Sequence, residues 1–231
     1  MIRRTLAAAL ALGLGLSVAG AARAEPLGSY QEHWGAQLGV RTTFVKSAGF
    51  DPYADDDALV ESSIGFGRTV LSDGPLSLAV LGFWEFGERR AEARGAATSL
   101  GVNHLALGAE ARYHLLPPLY GFVRAAPSVT HVSASLEDPV ANTTLSSRSW
   151  LLGWDVSAGG AFQVFGKKSP ASSHVRFWIL AEGGYTWTGS TDVQLTSESD
   201  DPATPARSAP VALPALALRG GTFRIAGVLT F

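Results

Sequence analysis

Two groups of residues in this 231-residue chain have the types and spacing to do chemistry. The smaller is His131-Val132-Ser133. On an extended strand, positions i and i+2 share a face, so the imidazole and the hydroxyl would lie side by side. A nucleophile beside a base, with a carboxylate to orient the base, is the set that ester hydrolysis requires. The nearest acids are Glu137 and Asp138, in a predicted loop. The expectation is therefore a strand-end pair without catalysis, with hydrolysis as the alternative.

The larger group is Arg41, Glu61, Glu85, Glu110, Arg112, Arg124, Asp155, Arg176, Glu182 and Arg224. Each falls on the polar register of an alternating segment, and the ten comprise five bases and five acids. Gathered inside one small barrel, such charges must pair, because an unpaired charge away from water is costly. A self-neutralising polar plug is the expectation. The alternative is a gate in which ion pairs exchange partners and open a narrow path.

Neither group suggests a metal. His104, Glu110 and His114 share one face, but ten residues of strand put the two imidazoles more than about 30 Å apart. Asp51, Asp55, Asp56 and Asp57 lack the alternation and central glycine of an EF-hand loop. They read as a solvated loop, with divalent cations bridging it to lipopolysaccharide phosphates as the second reading. No cofactor is expected.

The elements that must position these residues are strands. Eight segments alternate between an apolar and a more polar face. The first runs over residues 34–44, the third over 76–86, and the last over 221–231. The fifth, 119–132, is the weakest, since Pro127 removes a ladder donor. Long connections (46–57, 88–98, 136–147, 190–210) alternate with short turns such as 72–75, 117–118 and 166–173. Residues 211–218 are left open between loop and strand. The aromatics Trp34, Trp84, Tyr113, Tyr120, Trp150, Trp154, Tyr185 and Trp187 fall near segment ends, as two interfacial girdles would.

Composition bounds the class. Residues 1–24 carry Arg3 and Arg4, a small-apolar run and Ala22-Arg23-Ala24, the pattern of a cleaved signal peptide. One domain over residues 25–231 is expected after cleavage. It would carry 15 basic against 20 acidic residues, a balance that argues against nucleic acid. There is no Cys, so no disulfide and no lipid-modified cysteine. An apolar chain without a membrane helix either buries a large core, as a periplasmic sandwich or lipocalin-like barrel would, or spans a bilayer as a closed barrel.

The girdles, the loop rhythm and the final strand together weigh against the soluble form. Phe223, Ile225, Gly227, Leu229 and Phe231 occupy one register, and an aromatic carries the terminal carboxylate. That end resembles the closing strand of bacterial outer-membrane barrels, where Phe231 would be the signal read by the barrel-assembly machinery. With the leader, the strand count and the girdles, the mature sequence resembles the small OmpA/OmpX/OmpW-type barrels. The resemblance implies an all-β, eight-stranded antiparallel up-and-down transmembrane barrel, integral to the outer membrane, monomeric, with lipid and lipopolysaccharide around it. It implies a role in envelope structure or surface interaction through extracellular loops, with a gated pore or small hydrophobic-solute conduit as the alternative. The His-x-Ser triplet is also similar to that of lipid A deacylases of the PagL type, although Ala134 stands where that motif continues with Asn.

Overall fold

The computed structural model describes residues 33–54, 56–93, 95–138, 143–166, 175–197 and 210–231. The predicted leader, Asp55 and most of the longest connection lie outside these residues. The chain forms β1 (Trp34–Val45), β2 (Ala58–Asp73), β3 (Leu76–Ala93), β4 (Ala96–Leu116), β5 (Leu119–Asp138), β6 (Thr143–Phe165), β7 (Arg176–Thr188), β8 (Thr191–Ser197), β9 (Val211–Leu216) and β10 (Arg219–Thr230). β1 to β7 pair antiparallel in sequence order. β10 then pairs with both β7 and β1, which closes a ring of eight. At the seam Trp34 and Phe231 exchange backbone hydrogen bonds, 3.0 Å each way.

Alternation sets the two faces. Leu38, Val40, Phe66, Leu107, Leu152, Val156, Ile179 and Ile225 all lie exposed on the outside. No soluble monomer leaves an apolar band of this extent in water. The band lies on the ring strands; among the described residues no helix is long and apolar enough to cross a membrane. Pro127 is tolerated within the 20-residue β5. Pairing with β4 lapses beside it, between Ala106↔Ser128 and Ala109↔Ala125, and resumes in the same register.

The sheet rises well above the bilayer, which corrects three predicted loops. A tilted crossing takes about 9–11 residues, whereas β3, β4, β5 and β6 have 18, 21, 20 and 23. Most of 88–98 and of 136–147 is therefore strand. Within 190–210, residues 191–197 form β8. Residues 211–216 form β9, paired with β8. Outside the lipid the sense of the alternation inverts. Leu100, Val102, Val132, Ala134, Leu145 and Leu195 turn inward, while their neighbours Ser99, Gly101, Ser133 and Gln194 turn outward.

This upper sheet is not itself closed. β2 follows β3 only as far as Ser62↔Phe86, so the extended sheet runs from β3 through β4, β5, β6 and β8 to β9 with a gap between its ends. Loop 1, the connection between β1 and β2, fills the gap. Ser47 Oγ donates to Ala215 O (3.3 Å) and accepts from Ala217 N (3.2 Å), tying the loop to the β9 end. On the β3 side Thr98 Oγ1 donates to Pro52 O (2.6 Å), and Arg89 pairs with Asp56. A 3-10 turn at Asp51–Tyr53 lowers Phe50 and Tyr53 into the sheet's concave face.

Among the described residues the buried Tyr53 hydroxyl has no hydrogen-bond partner, and burial pushes its pKa up to about 12. A pKa raised above the unfolded value of about 10 favours the seated loop below pH 10. That contribution fades as pH rises towards 12. Tyr53→Phe should therefore stabilise loop 1 by about 1 kcal/mol and remove its alkaline sensitivity. Amide exchange of loop 1 at pH 8 and 11 checks both; equal behaviour of the two proteins would refute the orphaned hydroxyl.

Candidate functional site: the barrel interior

The inner register stacks three layers. Nearest the loops lies an aliphatic chamber, in which Leu59, Leu100, Val132, Leu151, Val193, Leu195, Leu216 and Leu218 close around Phe50 and Tyr53. Nearest the turns lies an aromatic layer of Tyr120, Phe122 and Trp178 with Leu180 and Val228. The rings of Tyr120 and Trp178 meet edge-on at 5.0 Å, and Trp178 Nε1 donates to Thr230 Oγ1 at 3.1 Å.

Between them are the charges. All ten predicted residues point inward, and nine are almost wholly buried; Asp155 is half-buried. Arg41 pairs with Glu85, donates to Asp155 Oδ1 (2.7 Å) and lies 3.9 Å from Glu61. Glu85 also takes Arg224 and a hydrogen bond from Ser63 Oγ at 3.0 Å. Arg224 reaches Glu182 (2.8 Å), which takes Arg124 (2.8 Å). Arg124 Nε donates on to Glu110 (2.9 Å), where Arg112 ends the series. Base and acid thus alternate without a break from Glu61 to Arg112.

Every strand of the ring contributes to this assembly. β6 enters through Asp155, which His104 of β4 contacts at 2.9 Å while its other nitrogen meets Thr130 Oγ1 at 2.8 Å. His104 lies on the polar face of β4, but nothing in the sequence tied it to Asp155. Phe83 sits among the ions, with the guanidinium carbons of Arg124 and Arg224 at 4.5 and 4.9 Å from its ring centre. Arg176, across from Thr230, belongs to the lower layer instead. Two interior cavities that Phe83 helps to line measure about 10 and 20 Å³. Each has room for about one water.

Of the predicted girdle, Trp34, Trp84, Tyr113, Trp150, Trp154, Tyr185 and Trp187 stand exposed on the outside. Tyr120 does not: it is buried in the aromatic layer. The reason is parity, because Tyr120 lies four residues before the inward Arg124 and so shares its face. His131 and Ser133 are on the outer face. The His131 ring stacks on Trp150 with centres 4.7 Å apart. Among the described residues no carboxylate orients it. Among the described residues no group of three or more potential ligands could hold a metal ion.

No protein-family model matches the chain, and neither does the sequence of any curated protein. Solved structures do match in shape. One is Ail, the attachment invasion locus protein of Yersinia pestis, solved with the heparin analogue sucrose octasulfate. It is 13% identical over 87% of this chain and 100% of its own, with a TM-score of 0.50. Another is the outer-membrane protease OmpT from Escherichia coli, 9% identical over 90% of this chain and 99% of its own, with a TM-score of 0.52. Both are outer-membrane β-barrels. At these identities the likeness is one of fold: an antiparallel up-and-down barrel of the outer-membrane kind.

Proposed function

We propose that this chain is a sealed outer-membrane barrel that acts through its surface rather than through a pore. The observation that carries this reading is the filled interior: an unbroken series of ion pairs under an aliphatic chamber that loop 1 closes. An ion crossing it would have to dissolve in the chamber as well as part the pairs, and burial of a bare charge among aliphatic side chains costs many kcal/mol.

By sequence, the segments at the loop end are acidic. Counted over the sequence in 46–57, 88–98, 136–148 and 189–219, the segments on that side of the membrane crossing, seven basic residues stand against twelve acidic ones, whereas the rest of residues 25–231 is balanced. Ail was solved with a sulfated ligand, but a polyanion would be repelled by this face. A cationic partner or bridging divalent cations suit it. The role inferred is thus envelope structure and surface contact by a monomer. His131, stacked on Trp150, and Ser133 are assigned no part in this role.

Planar-bilayer recording of the refolded chain, residues 25–231, tests the seal. The expected trace is silent in protein shown to be folded by its heat-modifiable gel mobility. Steady discrete openings that change in a Glu110→Ala, Asp155→Ala variant would replace this reading by the gated pore.

A further inference from the structure

The alternating series from Glu61 to Arg112 holds four acids and four arginines, so it is neutral by itself. Asp155 stands outside that series, as a branch on Arg41. Among the described residues the connected cluster therefore sets five carboxylates against four guanidiniums. Arg176 does not make up the difference. Six residues of β7 put it about 20 Å below Glu182, paired with Thr230 at the level of the aromatic layer. A surplus negative charge inside a wall that lipid surrounds is costly.

The group that faces this surplus is the buried His104 of β4. Its Nε2 lies 2.9 Å from Asp155 Oδ2 and 3.9 Å from Glu85 Oε2. A carboxylate only accepts, so Nε2 carries a hydrogen. Nδ1 lies 2.8 Å from Thr130 Oγ1, and a hydroxyl serves a bare nitrogen or an N–H equally well. Hydrogen bonding thus fits a neutral ring or an imidazolium, and the charges around the ring select between them. Glu61, Glu85 and Asp155 all lie on Arg41. The other cation of this group, Arg224 of β10, divides itself between Glu85 and Glu182. Three acids here share one whole arginine and part of a second.

We propose that His104 is the fifth cation of the plug, an imidazolium that donates from Nε2 to Asp155 and from Nδ1 to Thr130. Both donors then meet acceptors, and the cluster as a whole is neutral. Imidazole differs from guanidinium in that its charge can be removed. The branch to Asp155 is thus the link of the cluster that loss of a proton would release. It lies directly under the loop 1 chamber, because Val102 and Val132, the next inward residues above His104 and Thr130, line that chamber. The assignment concerns which charges the interior holds, so it stands or falls apart from whether the barrel conducts.

Nitrogen-15 NMR of the refolded chain, residues 25–231, labelled in histidine, tests it. The chain has five histidines, and the His104 signals are those that survive when the other four are replaced by Gln. At neutral pH both ring nitrogens of His104 should resonate as N–H nitrogens. A bare Nδ1 overturns the assignment and moves the compensating proton to a carboxylate. Urea unfolding in lipid vesicles reads the charge separately. His104→Gln keeps an amide donor for Asp155 but carries no charge. It should lower the folding equilibrium constant about tenfold, less than for a buried ion left alone, because Arg41 stays on Asp155. Adding Asp155→Asn removes the surplus acid and should restore most of the loss. A single variant as stable as the parent, or a double variant no better than the single, overturns the assignment.

Discussion

Glu85→Ala should lower the unfolding free energy of the barrel by about 3–5 kcal/mol, the loss expected when one partner of a buried ion pair is removed and its counter-charges stay behind. Glu85 has no exposed surface and is shared by Arg41 and Arg224. Arg41 keeps Asp155 and Glu61, so most of the penalty falls on Arg224, which among the described residues retains only Glu182. Equilibrium urea unfolding in lipid vesicles, followed by tryptophan fluorescence, measures this. A second variant separates stranded charge from lost packing. Glu85→Leu with Arg224→Met removes both ends of one link with little change in volume, and replacing a buried pair by apolar groups is often neutral or better. It should recover most of the loss. If Glu85→Ala unfolds within about 1 kcal/mol of the parent, the ions are hydrated and the interior is not the sealed plug described above.

The second large effect belongs to loop 1. Gly49 packs so closely on β9 that an added Cβ would sit 2.6 Å from Ala215 O and 2.7 Å from Leu216 Cα, both backbone atoms with little freedom to yield. Gly49→Val cannot seat the loop, and Phe50 and Tyr53 should leave the chamber with it. Phe50→Ala reaches the same end by a different route, with a cost of about 3–5 kcal/mol for emptying a buried aromatic site. In both variants the amides of loop 1 should exchange orders of magnitude faster, while those of the eight ring strands keep their protection and the heat-modifiable gel shift persists. Retained protection of the loop in Gly49→Val would mean that loop 1 does not need its contact with β9.

The inner and outer faces of the ring were legible because lipid imposes one rule on eight segments: apolar out, polar in. That rule placed all ten charges. It also placed Tyr120, had the parity been followed from Arg124 instead of from the nearness of the turn. The upper hairpins were hidden by the same rule. Where the chain leaves the lipid, Leu100 and Val132 turn inward and Ser99 and Ser133 turn outward, so a strand pattern of the opposite sense is mistaken for polar loop. The partners in the ion series could not be read at all. Which acid meets Arg224 depends on the register of β10 against β7 and β1, and that register exists only once the ring is shut. Loop 1 gave a faint signal, a Phe and a Tyr among acids, but no sequence pattern says that they fill a gap between distant strand ends.

The alternation of base and acid around the ring also bears on how the barrel can come into being. Arg41 on β1 and Arg224 on β10 meet the same carboxylate on β3, so residues from the two ends of the chain complete a link begun in its first half. A sheet that has zipped from β1 to β7 but lacks β10 would hold Glu85 and Glu182 short of a counter-ion, in a medium that tolerates no such deficit. Intermediates missing their last strand are thereby disfavoured. Entry into the bilayer should be a single kinetic event in which insertion and closure coincide, and a chain shortened before β10 should remain an unfolded client of whatever escorts it.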